Sequence, residues 1–277
     1  MIDVALVRER AQSLRALHDR SRVLVLPNAW DVVSARVVES AGFPAVATSS
    51  ASVAWSLGYP DGERIPRDEM IAVAARIARA VRVPVTADLE AGYGDPGATV
   101  EAALVAGVVG MNLEDGTDDA RSPLLDMAVA IDRIRQARAA ADRAGVPFVI
   151  NARTDVFLRQ VGEASTRLER ALERARAFRE AGADCIFVPG VDDAATIGAL
   201  ARGIDCALNV LARSTSPSVA ELSQLGVARV SLGSGAACIA LTAFQAAARD
   251  LRERGSFDCL KGVTTHAEFN RLLSANR

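Results

Sequence analysis

Val85-Thr86-Ala87-Asp88-Leu89-Glu90-Ala91-Gly92-Tyr93-Gly94-Asp95 passes from a short apolar run through two carboxylates into a glycine-rich turn. Side chains on a strand alternate between faces, so acids at i and i+2 point the same way. Asp88 and Glu90 are therefore expected side by side at a strand end. Neighbouring carboxylates repel, and a cation between them relieves that cost. The stretch predicts a hard-metal site, and with it a reaction centre, at the end of a strand.

Outward from this stretch, the same unit repeats. Short β-branched runs alternate with Ala-, Arg- and Glu-rich helical segments. The runs are Val23–Leu26, Ala45–Thr48, Val83–Ala87, Gly110–Leu113, Phe148–Asn151, Cys185–Val188, Cys206–Val210 and Arg229–Ser231. Between them lie helical stretches such as Leu124–Ala144 and Ala164–Ala181. Gly42, Gly145 and Gly182 follow helical segments and read as C-terminal caps. Eight strands alternating with helices favour a parallel sheet closed into a (β/α)8 TIM-type barrel, with a doubly wound open sheet as the alternative. No Gly/Ser linker divides the chain, so residues 1–277 are expected to form one α/β-barrel domain, with a C-terminal helical extension over 234–277. The connections Ser49–Arg67 and Asp115–Pro123 are long and follow strands, which puts them on the catalytic face of a barrel.

Composition narrows the chemistry. Half of the 277 residues are apolar and the net charge is −2, so nucleic acid is not an expected partner. No apolar run is long enough to span a membrane, and the N-terminus lacks a signal-peptide pattern. Cys185, Cys206, Cys238 and Cys259 are far apart and suggest neither a zinc knuckle nor a disulfide framework. A reducing cytoplasm is the expected setting. The only lysine is Lys261, in the C-terminal tail, which argues against a Schiff-base aldolase. His18 and His266 are the only histidines, which argues against a histidine-rich metal site.

Polar groups gather after the proposed strands: Asn28 and Asp31; Ser49, Ser50 and Asp61; Asp88 and Glu90; Asn112, Glu114 and Asp115; Asn151, Arg153 and Asp155; and Asn209. Several have local explanations. Asp31 reads as a helix N-cap, Asp61-Gly62 as an ordinary turn, and Tyr59 and Tyr93 as packing residues. The acids Asp88, Glu90 and Glu114 are hardest to explain without a cation. Carboxylates and water suit Mg2+, or Mn2+, better than zinc. Gly92-Tyr93-Gly94 is too short for a phosphate-binding loop.

With these residues in place, the chain resembles the isocitrate lyase/phosphoenolpyruvate mutase superfamily over about residues 15–250. The resemblance rests on Asp88-Leu89-Glu90-Ala91-Gly92-Tyr93-Gly94, Gly110-Met111-Asn112-Leu113-Glu114-Asp115 and Asn151-Ala152-Arg153-Thr154-Asp155. It also rests on Ser49-Ser50 followed by Leu57-Gly58-Tyr59-Pro60-Asp61. It implies a barrel whose eighth helix is often exchanged between subunits, hence a homo-oligomer (dimer or tetramer). It implies Mg2+ and a small carboxylate substrate, either a 2-oxo acid or a precursor yielding one, cleaved through a metal-stabilised enolate. By position, Asp88 resembles the principal metal contact, and Asp61, Glu90 and Glu114 the acids holding metal-bound water. Ser49, Ser50 and Arg153 resemble the carboxylate-binding set. Asp88 and Asn209 are also expected at the substrate.

The loop after the fourth strand departs from the lyase pattern K-[KR]-C-G-H. It reads Asp115-Gly116-Thr117-Asp118-Asp119-Ala120-Arg121-Ser122-Pro123, without cysteine, lysine or histidine. The mutase pattern is weaker still. Arg121 is the nearest cation, Ala47 stands at the tryptophan position, and the histidine expected after the sixth strand is replaced near Pro189. A Mg2+-dependent carbon–carbon lyase or decarboxylase is therefore expected. Glu114, Tyr59 or an Arg153-linked water are its acid/base candidates, with Ser122 or Tyr59 as proton donors. The alternatives are phosphonopyruvate hydrolase or mutase-type carbon–phosphorus chemistry, and a non-enzymatic 2-oxo-acid binding protein.

Overall fold

The computed structural model describes residues 4–274. It begins with helix α1 (Val4–Ala16), strands β1 (Leu24–Leu26) and β2 (Asn28–Ala29), helix α2 (Val32–Ser40), strand β3 (Val46–Thr48) and helices α3 (Ser50–Ser56) and α4 (Arg67–Ala80). Strand β4 (Val85–Asp88), helix α5 (Pro96–Val105), strand β5 (Gly110–Glu114), helix α6 (Met127–Arg143), strand β6 (Val149–Arg153) and helix α7 (Arg167–Glu180) follow. Strand β7 (Cys185–Phe187), helix α8 (Ala194–Gly203), strand β8 (Ala207–Leu211), helix α9 (Val219–Gln224) and strand β9 (Arg229–Ser231) complete the sheet. Helices α10 (Gly235–Arg254) and α11 (His266–Ser274) end the described chain.

All strand pairs are parallel, in the order β1-β9-β8-β7-β6-β5-β4-β3-β2. β1 pairs with β9 and β2 with β3, and only Pro27 separates β1 from β2. One broken strand therefore joins both edges and closes the barrel, which excludes the open-sheet alternative. Proline has no N–H to give a ladder, so the break falls there, and the eight expected strands become nine. The strands are almost wholly buried, as parallel strands covered on both faces must be.

Helix starts are written locally. Asp31 accepts from Ser34 N at 2.7 Å in a reciprocal capping box. Asp95 accepts from Ala98 N at 2.9 Å and is followed by Pro96. Gly42, Gly145 and Gly182 have φ of 86°, 64° and 114°, as caps in the left-handed region require.

Helix α1 lies across the N-terminal end of the barrel. Arg10 binds the carbonyls of Ala78 and Val81 at 2.9 and 2.8 Å, and Arg8 binds that of Gly145 at 3.1 Å. Leu14 enters the interior beside Gly110, where a Cβ would stand 2.9 Å from Leu14 Cδ2. At the other end, α10 leaves the barrel with only Ala237 buried. Helix α11 returns to α2, where Arg36 binds the Leu272 carbonyl through Nε and Nη2. Among the described residues no helix is long and apolar enough to cross a membrane.

Three expectations need correction. Strand β4 ends at Asp88, and Glu90 has φ 51° in a left-handed turn, so the two acids do not share a strand face. Helix α6 starts at Met127 rather than Leu124, because Leu124 forms an isolated bridge with Gly116. The connection Ser49–Arg67 is not all loop: it contains α3.

Candidate active site

The strand ends and following loops enclose a cavity of about 130 Å3 at the C-terminal mouth of the barrel. Its polar walls come from Asn28, Ser49, Ser50, Asp61, Asp88, Asn112, Arg153, Ser231 and Ser234, and its apolar walls include Leu158, Phe187, Pro189 and Leu211. Among the described residues no lysine, histidine or cysteine lines it.

Asp88 occupies the last position of β4. One of its oxygens accepts from Ser50 Oγ at 2.8 Å and Ser50 N at 3.2 Å. The other accepts from Asn112 Nδ2 at 3.1 Å. Its backbone N–H donates to Thr48 Oγ1 at 3.0 Å. Asn112 is level with Asp88 on the neighbouring strand, and Ser50 opens α3 directly after β3. Ser49 caps α3, accepting from Ser52 N at 3.3 Å, while still lining the cavity. Asn28 ties the mouth together. It donates to the Thr48 carbonyl at 2.7 Å and accepts from Leu232 N and Gly233 N at 2.9 and 2.8 Å.

Arg153 ends β6, one strand beyond β5 from Asp88, and lines the same cavity. It meets Glu114 through Nη1 at 2.6 Å and grips Asp155 with Nε and Nη2 at 2.6 and 3.0 Å. Its guanidinium lies 5.8 Å from the centroid of the Phe187 ring. Burial works against its charge, but Glu114 and Asp155 outweigh burial and hold it firmly protonated. Burial pushes the Glu114 carboxyl up to about 8 against the pull of Arg153, with Asp155, Asp88 and Glu90 adding repulsion. Asp155 is itself fixed by Arg159 and by its N–H to Asp115, which pairs with Arg174.

The four acids expected at a metal do not form one cluster. Asp88 and Asp61 line the cavity. Desolvation, then Asp88, raises the Asp61 carboxyl, while Gly62 N–H, Arg153 and Ser50 oppose the shift. Glu90 lies outside the cavity lining, where its carboxylate accepts from Glu63 N and, at 3.2 Å, from Tyr93 OH. Burial lifts it to about 7. Glu114 is also outside the cavity lining, bonded to Arg153. Among the described residues no three His, Cys, Asp or Glu side chains converge closely enough to cage a metal by themselves. The cavity still suits a hard divalent ion. Its donors are oxygens, and Mg2+ needs only one or two carboxylates with water completing the shell. The mutual repulsion of Asp61 and Asp88 is what such an ion would relieve.

Two expected residues are elsewhere. Tyr59 is half-buried against the core and its hydroxyl donates to Glu69 Oε1 at 3.3 Å, outside the cavity lining. Asn209 is fully buried and does not line the cavity. It accepts from Ser231 Oγ at 3.4 Å, and its Nδ2 has no partner. Ser231, which ends β9, and Ser234 were not singled out from the sequence as site residues, although Leu232-Gly233-Ser234 directly follows the last run, Arg229–Ser231.

Residues 14–252 match the family model described as phosphoenolpyruvate phosphomutase. The chain belongs to that family. It therefore falls within the phosphoenolpyruvate mutase/isocitrate lyase superfamily. A Burkholderia cenocepacia J2315 structure with only a provisional lyase/mutase description is 37% identical, covers 96% of each chain and superposes with a TM-score of 0.90. An oxaloacetate decarboxylase of Rhodopseudomonas palustris BisB18 is 31% identical over 80% of this chain and 77% of its own length. A phosphonopyruvate hydrolase solved with oxalate and Mg2+ is 25% identical, covers 97% of this chain and 96% of its own, and has a TM-score of 0.84. Relatives of the chain include lyases and decarboxylases that break carbon–carbon bonds.

Proposed function

We propose that the protein is a Mg2+-dependent carbon–carbon lyase or decarboxylase acting on a small 2-oxo acid, or on a hydroxy acid that yields one. The observation carrying this reading is Asp88, locked by Ser50 and Asn112 at the wall of a small oxygen-lined cavity that Arg153 also lines. Asp88 and Asp61 would hold the cation, with Glu90 and Glu114 further out. When bound, the ion supplies Lewis-acid stabilisation where negative charge develops on the substrate.

The remaining roles belong to the chain. Arg153 presents a fixed positive fork to a substrate carboxylate, its direction set by Glu114 and Asp155. The hydroxyls of Ser49 and Ser234 can donate to carboxylate or carbonyl oxygens from the cavity walls. Leu158, Phe187, Pro189 and Leu211 exclude water from one side, which strengthens those contacts. No lining side chain offers a cysteine thiol, imidazole or ammonium for proton transfer. Loss of CO2 asks least of such a site, because the electron sink is enough and water can return the proton. Among the described residues Arg153 is also the only cationic side chain lining the cavity, which suits a carboxylate better than a phosphonate. Arg121 stays on the loop after β5, 93% exposed and bonded to Asp119.

The test is product detection by 1H NMR with Mg2+ and an EDTA control. Oxaloacetate, 2-methylisocitrate, isocitrate, 2,3-dimethylmalate and phosphonopyruvate are supplied separately. EDTA-sensitive product from a carboxylic acid is expected. Pyruvate from phosphonopyruvate alone would move the protein to carbon–phosphorus chemistry. Tight ligand binding without turnover of any would make it a binding protein.

A further inference from the structure

Barrel interiors of this kind are ordinarily filled by branched apolar side chains. Here the layer beneath the cavity holds Arg229, 1% exposed and the largest of the fully buried side chains. It lies two residues before Ser231 on β9, and so points inward one layer below the cavity. Among the described residues no carboxylate pairs with it, and its Nε has no partner. An unpaired charge in such a place is costly. Its Nη1 lies 3.3 Å from His18 Nε2 and its Nη2 3.4 Å from Asn112 Oδ1.

These two contacts define states. His18 Nδ1 is 2.8 Å from the Leu14 carbonyl, which can only accept, so Nδ1 carries the proton. Nε2 is then an acceptor, as a donor-only guanidinium requires. Burial, then Arg229, lowers the imidazole to about 4, which keeps it neutral. Above Arg229, Asn112 stands between a group that only donates and the Asp88 carboxylate, which only accepts. One amide orientation satisfies both: Oδ1 toward Arg229, Nδ2 toward Asp88. Asn151 Nδ2 adds a second donor to the same oxygen at 2.8 Å.

We propose that Arg229 is a positioning residue. Propped from below by neutral His18, it sets the Asn112 amide and thereby fixes the carboxylate of Asp88. The consequence for metal binding rests on the reading of Asp88 as the metal contact. The orientation of Asn112 does not.

The test uses Arg229→Met, which keeps much of the side-chain length and removes the donors. The first readout is the Asn112 side-chain NH2 signal in 1H–15N spectra of metal-free protein, assigned with Asn112→Ser. In Arg229→Met this signal is expected to shift, and its hydrogen exchange to accelerate at least about tenfold. A folded Arg229→Met with the wild-type signal would make Arg229 a mere filler and overturn the proposal. If that variant does not fold, the His18 pair decides. His18→Leu is expected to move the Asn112 signal, and His18→Gln, which returns an acceptor to Arg229, to restore it. Equal effects of the two would overturn the proposal. The second readout is Mn2+ affinity, expected to fall about tenfold in Arg229→Met, as for loss of a residue that orients a ligand. Wild-type protein that binds no Mn2+ would sink the metal reading while the Asn112 signal still decides the role of Arg229.

Discussion

Ser50 donates twice to the same oxygen of Asp88, from its hydroxyl at 2.8 Å and its backbone N–H at 3.2 Å. The junction between β3 and α3 is therefore bonded to the end of β4. Removing the hydroxyl leaves the backbone bond and Asn112 in place. Ser50→Ala is accordingly expected to fold and to lose about 10- to 100-fold in kcat/KM and divalent-ion affinity. Asp88→Ala is expected to lose turnover altogether. Kinetics on the substrate identified by NMR, with Mn2+ titrations, check both. Substantial turnover by Asp88→Ala would remove Asp88 from the centre of the mechanism.

His18 and Glu90 pull stability in opposite directions with pH. His18 is lowered from its ordinary 6.5 to about 4 by burial and Arg229, so the unfolded chain takes up a proton first. Its contribution is present above pH 6.5 and lost as pH falls toward 4. Glu90 is raised from 4.5 to about 7, chiefly by burial, so the unfolded chain releases its proton first. Its contribution is present below pH 4.5 and lost as pH rises through 7. Denaturant titrations in EDTA should show the two as differences from wild type. Glu90→Gln should lose less stability on raising the pH from about 5 to 7, and His18→Gln less on lowering it from about 6.5 to 4. Parallel curves for wild type and either variant would contradict that assignment.

Most of the barrel could be read from the chain, because its signals are local. Parallel strands buried on both faces appear as unbroken apolar runs, and Gly42, Gly145 and Gly182 mark helix ends. The same locality explains the misses. The pairing of Asp88 with Glu90 assumed that a strand continues, whereas the chain turns left-handed at Glu90. Pro27 splitting the first strand is visible only once both edges have partners. Ser49, Ser50, Asp61, Asp88 and Arg153 were legible as polar residues after apolar runs, and they line one cavity. Arg229 was not, because a single arginine beside Val230 reads as the solvated end of a strand. Tyr59 followed an informative serine pair, yet its hydroxyl turns to Glu69 on α4.

Arg153 provides a separate test of substrate binding. Met at this position would leave Asp155, fully buried, and Glu114 without their shared partner. Losing one member of a buried ion pair typically costs about 3–5 kcal/mol, so Arg153→Met is expected to be poorly folded. Arg153→Lys keeps the charge but not the two-pronged grip on Asp155. It is expected to fold, to keep Mn2+ affinity within about twofold and to lose at least about tenfold in kcat/KM, mainly through KM. Wild-type kcat/KM in Arg153→Lys would take the guanidinium away from the substrate.

The C-terminal helices carry the last expectation. Helix α10 exposes Ile239 and Phe244 at 70% and 72%, and the segment after it exposes Phe257 at 70%. So much aromatic and aliphatic surface is unusual on a monomer and is what a subunit interface would cover. A groove of about 470 Å3 lined by Leu17, Val23, Val25 and Phe43 opens beside β1 and is large enough to accept apolar side chains. An exchange of α10 between two copies would bury both surfaces at once. Light scattering at micromolar protein is therefore expected to give a dimer or tetramer. Phe244→Glu, on an outward-facing position of α10, should shift it toward monomer without unfolding the barrel, since only Ala237 of that helix is buried. A wild-type monomer at high concentration would rule out this exchange, and Phe244→Glu would then leave the mass unchanged.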